Sequence, residues 1–194
     1  MSDADTGLRA RLVDVGVELL AAEGAQALTL REIARRAGVS HGAPRRYFPT
    51  HLELLSAIAR RGFTELAGRA HAALERETGG PRAQVAALAR TYVEFALEQP
   101  GMYELMFRHD LLESGHLGLR ETSLPLFSLL TDLVGTVDPD ADARRAAAAL
   151  WANLHGTVQL WRWRSLQLAL DEEDFGPLLD TVLAAHLGGR GDGR

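Results

Sequence analysis

The sequence contains no cysteine and no lysine. Without cysteine there is no disulfide framework, no thiolate metal site and no cysteine nucleophile. All 21 basic residues are arginine, which genomic base composition alone can produce and which therefore carries no mechanism. No run of 18 apolar residues is free of charge, so no segment reads as a membrane span. Residues Met1 to Thr6 are polar and acidic, unlike a signal peptide, and the expected compartment is the cytoplasm. Val, Ile and Thr are few beside Ala and Leu, which together number 63 and favour helix over sheet. What remains is a chain of 194 residues, 46% hydrophobic, long enough for one domain or for a small domain joined to a larger one.

Charge is unevenly distributed. Residues 1–62 hold nine arginines against seven acids, and the remainder twelve against nineteen. From Arg31 to Arg61 there are seven arginines and two acids. An acidic protein with one basic segment suggests a local anionic partner. A solvated helical face would carry the same arginines.

Helical periodicity organises the whole chain. Leu8, Leu12, Val15 and Leu19 mark one face of a first helix running to Glu23, with Gly24 where a C-terminal cap belongs. Thr29-Leu30-Arg31-Glu32 reads as a capping box for a short helix that Gly38 stops. Ser40 is a good N-cap for another short helix over His41 to Tyr47, and Pro49 closes it. Thr50-His51-Leu52-Glu53 is a second capping box, opening a long helix towards Thr78. Gly79-Gly80-Pro81 breaks it and starts the next, to Glu98. Further helices are expected over Met102 to Leu111 and over Leu119 to Val137, the latter bent or split by Pro125, with a loop at 113–118 between them. Asp138-Pro139 is expected to open a helix to Ala169, and Asp171 to cap a last one over Glu172 to Leu187.

Residues 29–48 combine a capped helix, a glycine turn, a second short helix and the aromatic pair Tyr47-Phe48, the anatomy of a helix-turn-helix. Leu30, Ile33, Ala34 and Ala37 form the stripe to be buried. A short helix with small residues, here Gly42 and Ala43, fits a major groove about 12 Å wide. Thr29, Ser40 and Thr50 place hydroxyls and free N–H groups at helix starts, where phosphates are held favourably. Arg45 and Arg46 can reach a phosphate or a guanine edge, His41 can do either, and Tyr47 can donate to a phosphate. An ordinary helical hairpin would show the caps without the local charge.

With these residues in view, Leu28 to Ser40, Tyr47-Phe48-Pro49 and Leu52-Glu53-Leu54-Leu55 resemble the TetR/AcrR family of bacterial transcriptional regulators. The resemblance implies an all-α homodimer: an N-terminal three-helix helix-turn-helix DNA-binding domain (1–50), a connecting helix (51–80), a helical-bundle ligand-binding and dimerisation domain (81–187) and a disordered tail (188–194). It implies DNA contacts from Thr29, Ser40, His41, Gly42, Ala43, Arg45, Arg46, Tyr47 and His51. The family often has Thr-Leu-Tyr where this chain has Ala43-Pro44-Arg45, so its base contacts are not copied there; it often has lysine where this chain has His51, whose phosphate contact, unlike that of lysine, would weaken as the ring deprotonates. Trp151, His155 and Gly156, with Pro100-Gly101-Met102-Tyr103, resemble a subgroup carrying a Trp-x-x-x-His-Gly signature. The function implied is a ligand-responsive repressor that binds a palindromic double-stranded operator and is released by a small, largely apolar effector, with no cofactor and no membrane partner.

Trp151 and His155 are four apart and share a helix face. Tyr92, Phe95, Met102, Tyr103, Met106, Phe107 and Phe127 are plausible companions in an effector pocket, though a filled core with a satisfied histidine would use the same residues. Trp161 and Trp163 cannot share a face. The stripe Leu179, Leu183 and Leu187 fits either a dimer interface or intramolecular core. Two other classes stand beside this one: a helical interaction module without DNA binding, and a metal-dependent enzyme using His109-Asp110 and His116. The seven histidines contain no HExxH pair.

Overall fold

A computed structural model describes residues 3–108, 110–111 and 118–188. All regular structure among them is helical, as the composition implies: α1 Asp3–Glu23, α2 Leu30–Arg36, α3 Ala43–Tyr47, α4 His51–Arg76, α5 Pro81–Glu98, α6 Pro100–Met106, α7 Leu119–Val137, α8 Ala143–Arg162, α9 Ser165–Leu170 and α10 Gly176–Leu187. His109, His116 and the tail from Gly189 lie outside the described residues. Contacts divide the chain into two compact units. One holds the chain to Glu65 together with Gln99–Ser123; the other holds Leu66–Glu98 and the chain from Leu124.

In the first unit α1, α2 and α3 pack mutually, and α6 packs on α1. Leu12, Leu19, Leu28, Ile33, Ala34, Ala37, Phe48, Leu54 and Ile58 are fully buried. Gly62 lets α4 approach α6 closely: a Cβ there would lie 2.5 Å from Met106 Sδ and 2.7 Å from Met102 Sδ. Phe107 stacks edge-on against Phe63 and Tyr103, at 5.7 and 5.2 Å between ring centroids. In the second unit α8 packs on α5, α9 and α10. Leu150, Leu154, Val158 and Trp161 of α8 and Leu179, Val182 and Leu183 of α10 are buried, so the Leu179/Leu183 stripe is core of its own subunit. Trp161 is buried against Phe175, whereas Trp163 is 65% exposed.

α1 and α6 begin earlier than expected, at Asp3 and Pro100, and three further helix starts fall later, two of them for the same reason. The expected start at Ser40 would make Pro44 the first residue obliged to donate a helical hydrogen bond, which proline cannot do. The helix therefore begins at Ala43, with Pro44 inside its first turn and the Ser40 carbonyl accepting from the Ala43 N–H at 2.9 Å. Likewise Asp171 does not cap the last helix; a helix from there would put Pro177 in its interior, and α10 starts at Gly176 with Pro177 in the first turn. At 138–142 two aspartates compete. Asp138 turns onto the Asp140 N–H, and Asp142 is the cap, accepting from the Arg145 N–H at 3.0 Å. The expected single helix to Ala169 is broken after Arg162 by Arg164 in the left-handed region.

Candidate nucleic-acid interface

Thr29 caps α2 as expected: its Oγ1 accepts from the Glu32 N–H at 3.1 Å. Glu32 does not reciprocate. Its carboxylate accepts instead from Arg35 Nε at 2.8 Å and Arg36 Nε at 2.9 Å, while Arg36 also donates to Glu23. Two guanidinium hydrogen bonds, from Arg35 first, hold the Glu32 carboxyl well below its ordinary value of 4.5, at about 2. At Gly38, φ is +67°, a conformation that favours glycine, and the turn closes with the Val39 N–H on the Ala34 carbonyl. The second capping box is reciprocal: Thr50 Oγ1 accepts from the Glu53 N–H, and Glu53 accepts from the Thr50 N–H at 3.4 Å.

α3 is seated by Pro44 and Phe48, both buried, with the Arg9 guanidinium 5.1 Å from the Phe48 ring centre. Its opposite side faces solvent. Ser40, His41, Gly42, Arg45 and Arg46 are exposed, Ala43 and Tyr47 are half-buried, and Thr29 and His51 are exposed nearby in sequence. The arginines are not equivalent. Arg35 and Arg36 are neutralised by Glu32 and Glu23, whereas Arg31, Arg45 and Arg46 have no acidic partner among the described residues. Counting charge along the sequence missed this clamp, although the spacings of three and four from Glu32 were a readable signal. His51 turns Nε2 inward, donating to the Leu28 carbonyl. α3 is thus a short rod with small residues at its start and two arginines on its outer side, residue types that suit contact with phosphates and base edges.

The residues expected around an effector divide between the units. Met102, Tyr103 and Met106 are buried in the first unit, where the methionines straddle Gly62 and Tyr103 meets Phe107. The second unit brings Tyr92, Phe127, Trp151 and His155 together. Trp151 Nε1 donates to the Tyr92 hydroxyl at 3.3 Å, and that hydroxyl lies 2.8 Å from His155 Nδ1. The Trp151 ring lies 6.2 Å from both Phe127 and His155. Burial lowers the His155 pKa. Phe95 is fully buried with the Arg69 guanidinium 5.5 Å from its ring centre. A groove of about 200 Å³ in the same unit is lined by Ala73, Arg76, Glu77, Ala87, Arg90, Thr91 and Glu94, none of which sequence reasoning had singled out.

Comparison with known proteins matches both ends of this description. Residues 12–58 fit the family model described as bacterial regulatory proteins, tetR family, and residues 85–185 fit the tetracyclin repressor-like C-terminal domain. The HTH-type transcriptional regulator BetI of Rhizobium meliloti is 31% identical over 191 residues, covering 96% of this chain and 92% of that protein. The nucleoid occlusion factor SlmA of Actinobacillus pleuropneumoniae is 32% identical over 103 residues, 53% of this chain; the match spans only 50% of SlmA. A protein of solved structure from Rhodococcus sp. RHA1 shares the fold with a TM-score of 0.82 at 29% identity, over 94% of each chain. The chain belongs to the TetR family of DNA-binding transcriptional regulators.

Proposed function

We propose that the protein is a homodimeric repressor whose two copies of α3, with the turn 40–42 before it, enter successive major grooves of a palindromic operator, and that a small, largely apolar effector releases it. The observation that carries this reading is the two-sidedness of α3: Pro44 and Phe48 are buried beneath it, while Arg45 and Arg46 stand exposed without acidic partners among the described residues. Thr29, Ser40, His41, Gly42, Ala43, Tyr47 and His51 complete the contact set, with Thr29 and Thr50 at capped helix starts where phosphate is favoured. BetI, by its name a helix-turn-helix transcriptional regulator, supports the same role. Dimerisation is assigned to α8 and α10, which leave Ala149, Ala152, Leu160, Ala184 and Ala185 exposed. The hydrogen-bonded group Tyr92, Trp151 and His155, with Phe127 beside it, is the favoured effector contact, because it offers apolar ring surface with few polar atoms. No described helix is long and apolar enough to cross a membrane. A repressor works where its operator is, which assigns this one to the cytoplasm.

An effector that prefers one spacing of the two reading rods shifts the dimer population away from DNA. A coupling of about 1–3 kcal/mol changes affinity roughly 5- to 150-fold. The decisive experiment is selection of bound duplex from a random pool. Recovery of two inverted half-sites about one helical turn apart is the expected result. Recovery of no common sequence, with affinity independent of salt, would overturn the reading.

A further inference from the structure

The connector between α8 and α10 is built in a way that its own subunit does not explain. It is not a loose loop. Gln167 of α9 faces inward: with its amide oriented so that nitrogen meets acceptor and oxygen meets donor, it donates to the Trp161 carbonyl at 2.7 Å and accepts from the Trp161 indole N–H at 3.2 Å, and Trp161 stacks edge-on against Phe175 at 5.2 Å. Two residues in the left-handed region, Arg164 at φ 62° and Asp171 at φ 55°, turn the chain at either end of α9. On this fixed support Leu168 is 87% exposed, Trp163 65% and Leu170 44%. Ordered apolar side chains of this size left in water are the mark of a contact surface.

The charges select the occupant. Arg164 stands at the N-terminus of α9, and Asp171 and Glu173 follow its C-terminus; all three are exposed and have no ion-pair partner among the described residues. This arrangement opposes the helix dipole, which favours anions at the N-terminus and cations at the C-terminus. The charges therefore do nothing for their own helix. Turned through a two-fold axis, a second copy of α9 lies antiparallel, and a six-residue helix is about 9 Å long. Each arginine then meets the acids of the other copy, and each helix end gains the charge that its dipole favours.

We propose that α9 is a self-docking arm: in the homodimer it pairs antiparallel with α9 of the partner, Leu168 and Trp163 in the contact, Arg164 against the partner's Asp171 and Glu173. This rests on the homodimer reading and adds a contact beyond α8 and α10. An isologous interface repeats each ion pair twice, so charge reversal acts twice.

The test uses the full chain in three forms, compared by sedimentation across a dilution series: wild type, Arg164→Glu, and Asp171→Arg with Glu173→Arg. Each charge variant alone is expected to raise the dimer dissociation constant at least about tenfold, through like charges set in apposition. Mixing the two variants sets the introduced carboxylate of one chain against the introduced guanidinium groups of the other, and is expected to restore wild-type association as a mixed dimer. Leu168→Ser, an exposed change, should weaken association with an unchanged melting transition of the dissociated chain. A wild-type dimer whose constant is unmoved by the variants, or variants that fail to rescue one another, would overturn the arm while leaving dimerisation through α8 and α10 intact. A wild type that stays monomeric throughout would overturn both.

Discussion

A side chain's charge matters only after its neighbours are counted, and Glu32 shows this most plainly. It occupies Arg35 and Arg36, which leaves Arg31, Arg45 and Arg46 as the arginines of residues 29–48 without an acidic partner among the described residues. Glu32→Gln should free both guanidinium groups, tighten binding to non-specific duplex at low salt and steepen the salt dependence by roughly 0.9 per additional phosphate neutralised. Titration of affinity against salt reads this directly. The same carboxyl gives an acid-dependent term. Because its pKa is held at about 2 against an ordinary 4.5, its stabilisation is present above the ordinary value and is lost as pH falls towards the folded one. The melting-temperature gap between wild type and Glu32→Gln should therefore close between about pH 5 and pH 2. Arg46→Ala should weaken operator binding by about 1–3 kcal/mol if it reads a base, or lower the salt slope by about one if it holds a phosphate. Either way the melting temperature should stay unchanged, since Arg46 is exposed; unaltered operator affinity would remove it from the contact set. Ser56 presents the opposite case, a fully buried hydroxyl whose oxygen has no hydrogen-bond partner among the described residues. Ser56→Ala removes that uncompensated group and should stabilise the chain by about 1 kcal/mol in denaturant titration.

At the scale of helices, packing in the first unit depends on a missing side chain. Met102 and Met106, one turn apart on α6, close over Gly62 of α4. Gly62→Ala would push a methyl group into both sulfur atoms, and the overpacking should cost about 1–3 kcal/mol, measured by denaturant titration, despite the better helix propensity of alanine. This contact was not legible in the sequence, where Gly62 is one small residue inside a long helical pattern. Local signals were legible: the bounds of α5 and α7 coincide with expectation because Pro81 and the apolar periodicity act within one helix. The N-caps at Thr29 and Thr50 fixed helix starts for the same reason. Errors arose where two local signals competed. Ser40 looked like a cap, but Pro44 four residues on vetoed it, and Pro177 did the same to Asp171. Each veto is visible to anyone who counts which amide must donate. The break after Arg162 had no such signal, since neither glycine nor proline marks the left-handed turn at Arg164. In the candidate interface, exposure of Ser40, His41, Gly42, Arg45 and Arg46 agreed with the apolar pattern beneath them, whereas the inward turn of His51 depended on a carbonyl 23 residues away.

For the whole molecule the repressor reading makes a geometric demand that no single residue can satisfy. A dimer offers two reading rods at one fixed separation, and duplex offers equivalent groove faces only about every 34–36 Å, or 10–10.5 base pairs. Affinity for the full operator should thus depend on the phase between half-sites as well as on their sequence. Inserting five base pairs at the centre rotates one half-site by about half a turn and moves it to the far side of the duplex. The second rod then loses its site, and binding should fall to the level of a duplex carrying one half-site, since a linked second contact is lost entirely where geometry forbids simultaneous engagement. Inserting ten base pairs restores the face but adds about 34 Å of separation, so a dimer of fixed span should not recover. Fluorescence anisotropy on these three duplexes at one salt concentration separates the possibilities. Equal affinity for all three would mean that each copy reads DNA independently, and would sink the spacing switch, because an effector cannot act by changing a distance on which binding does not depend.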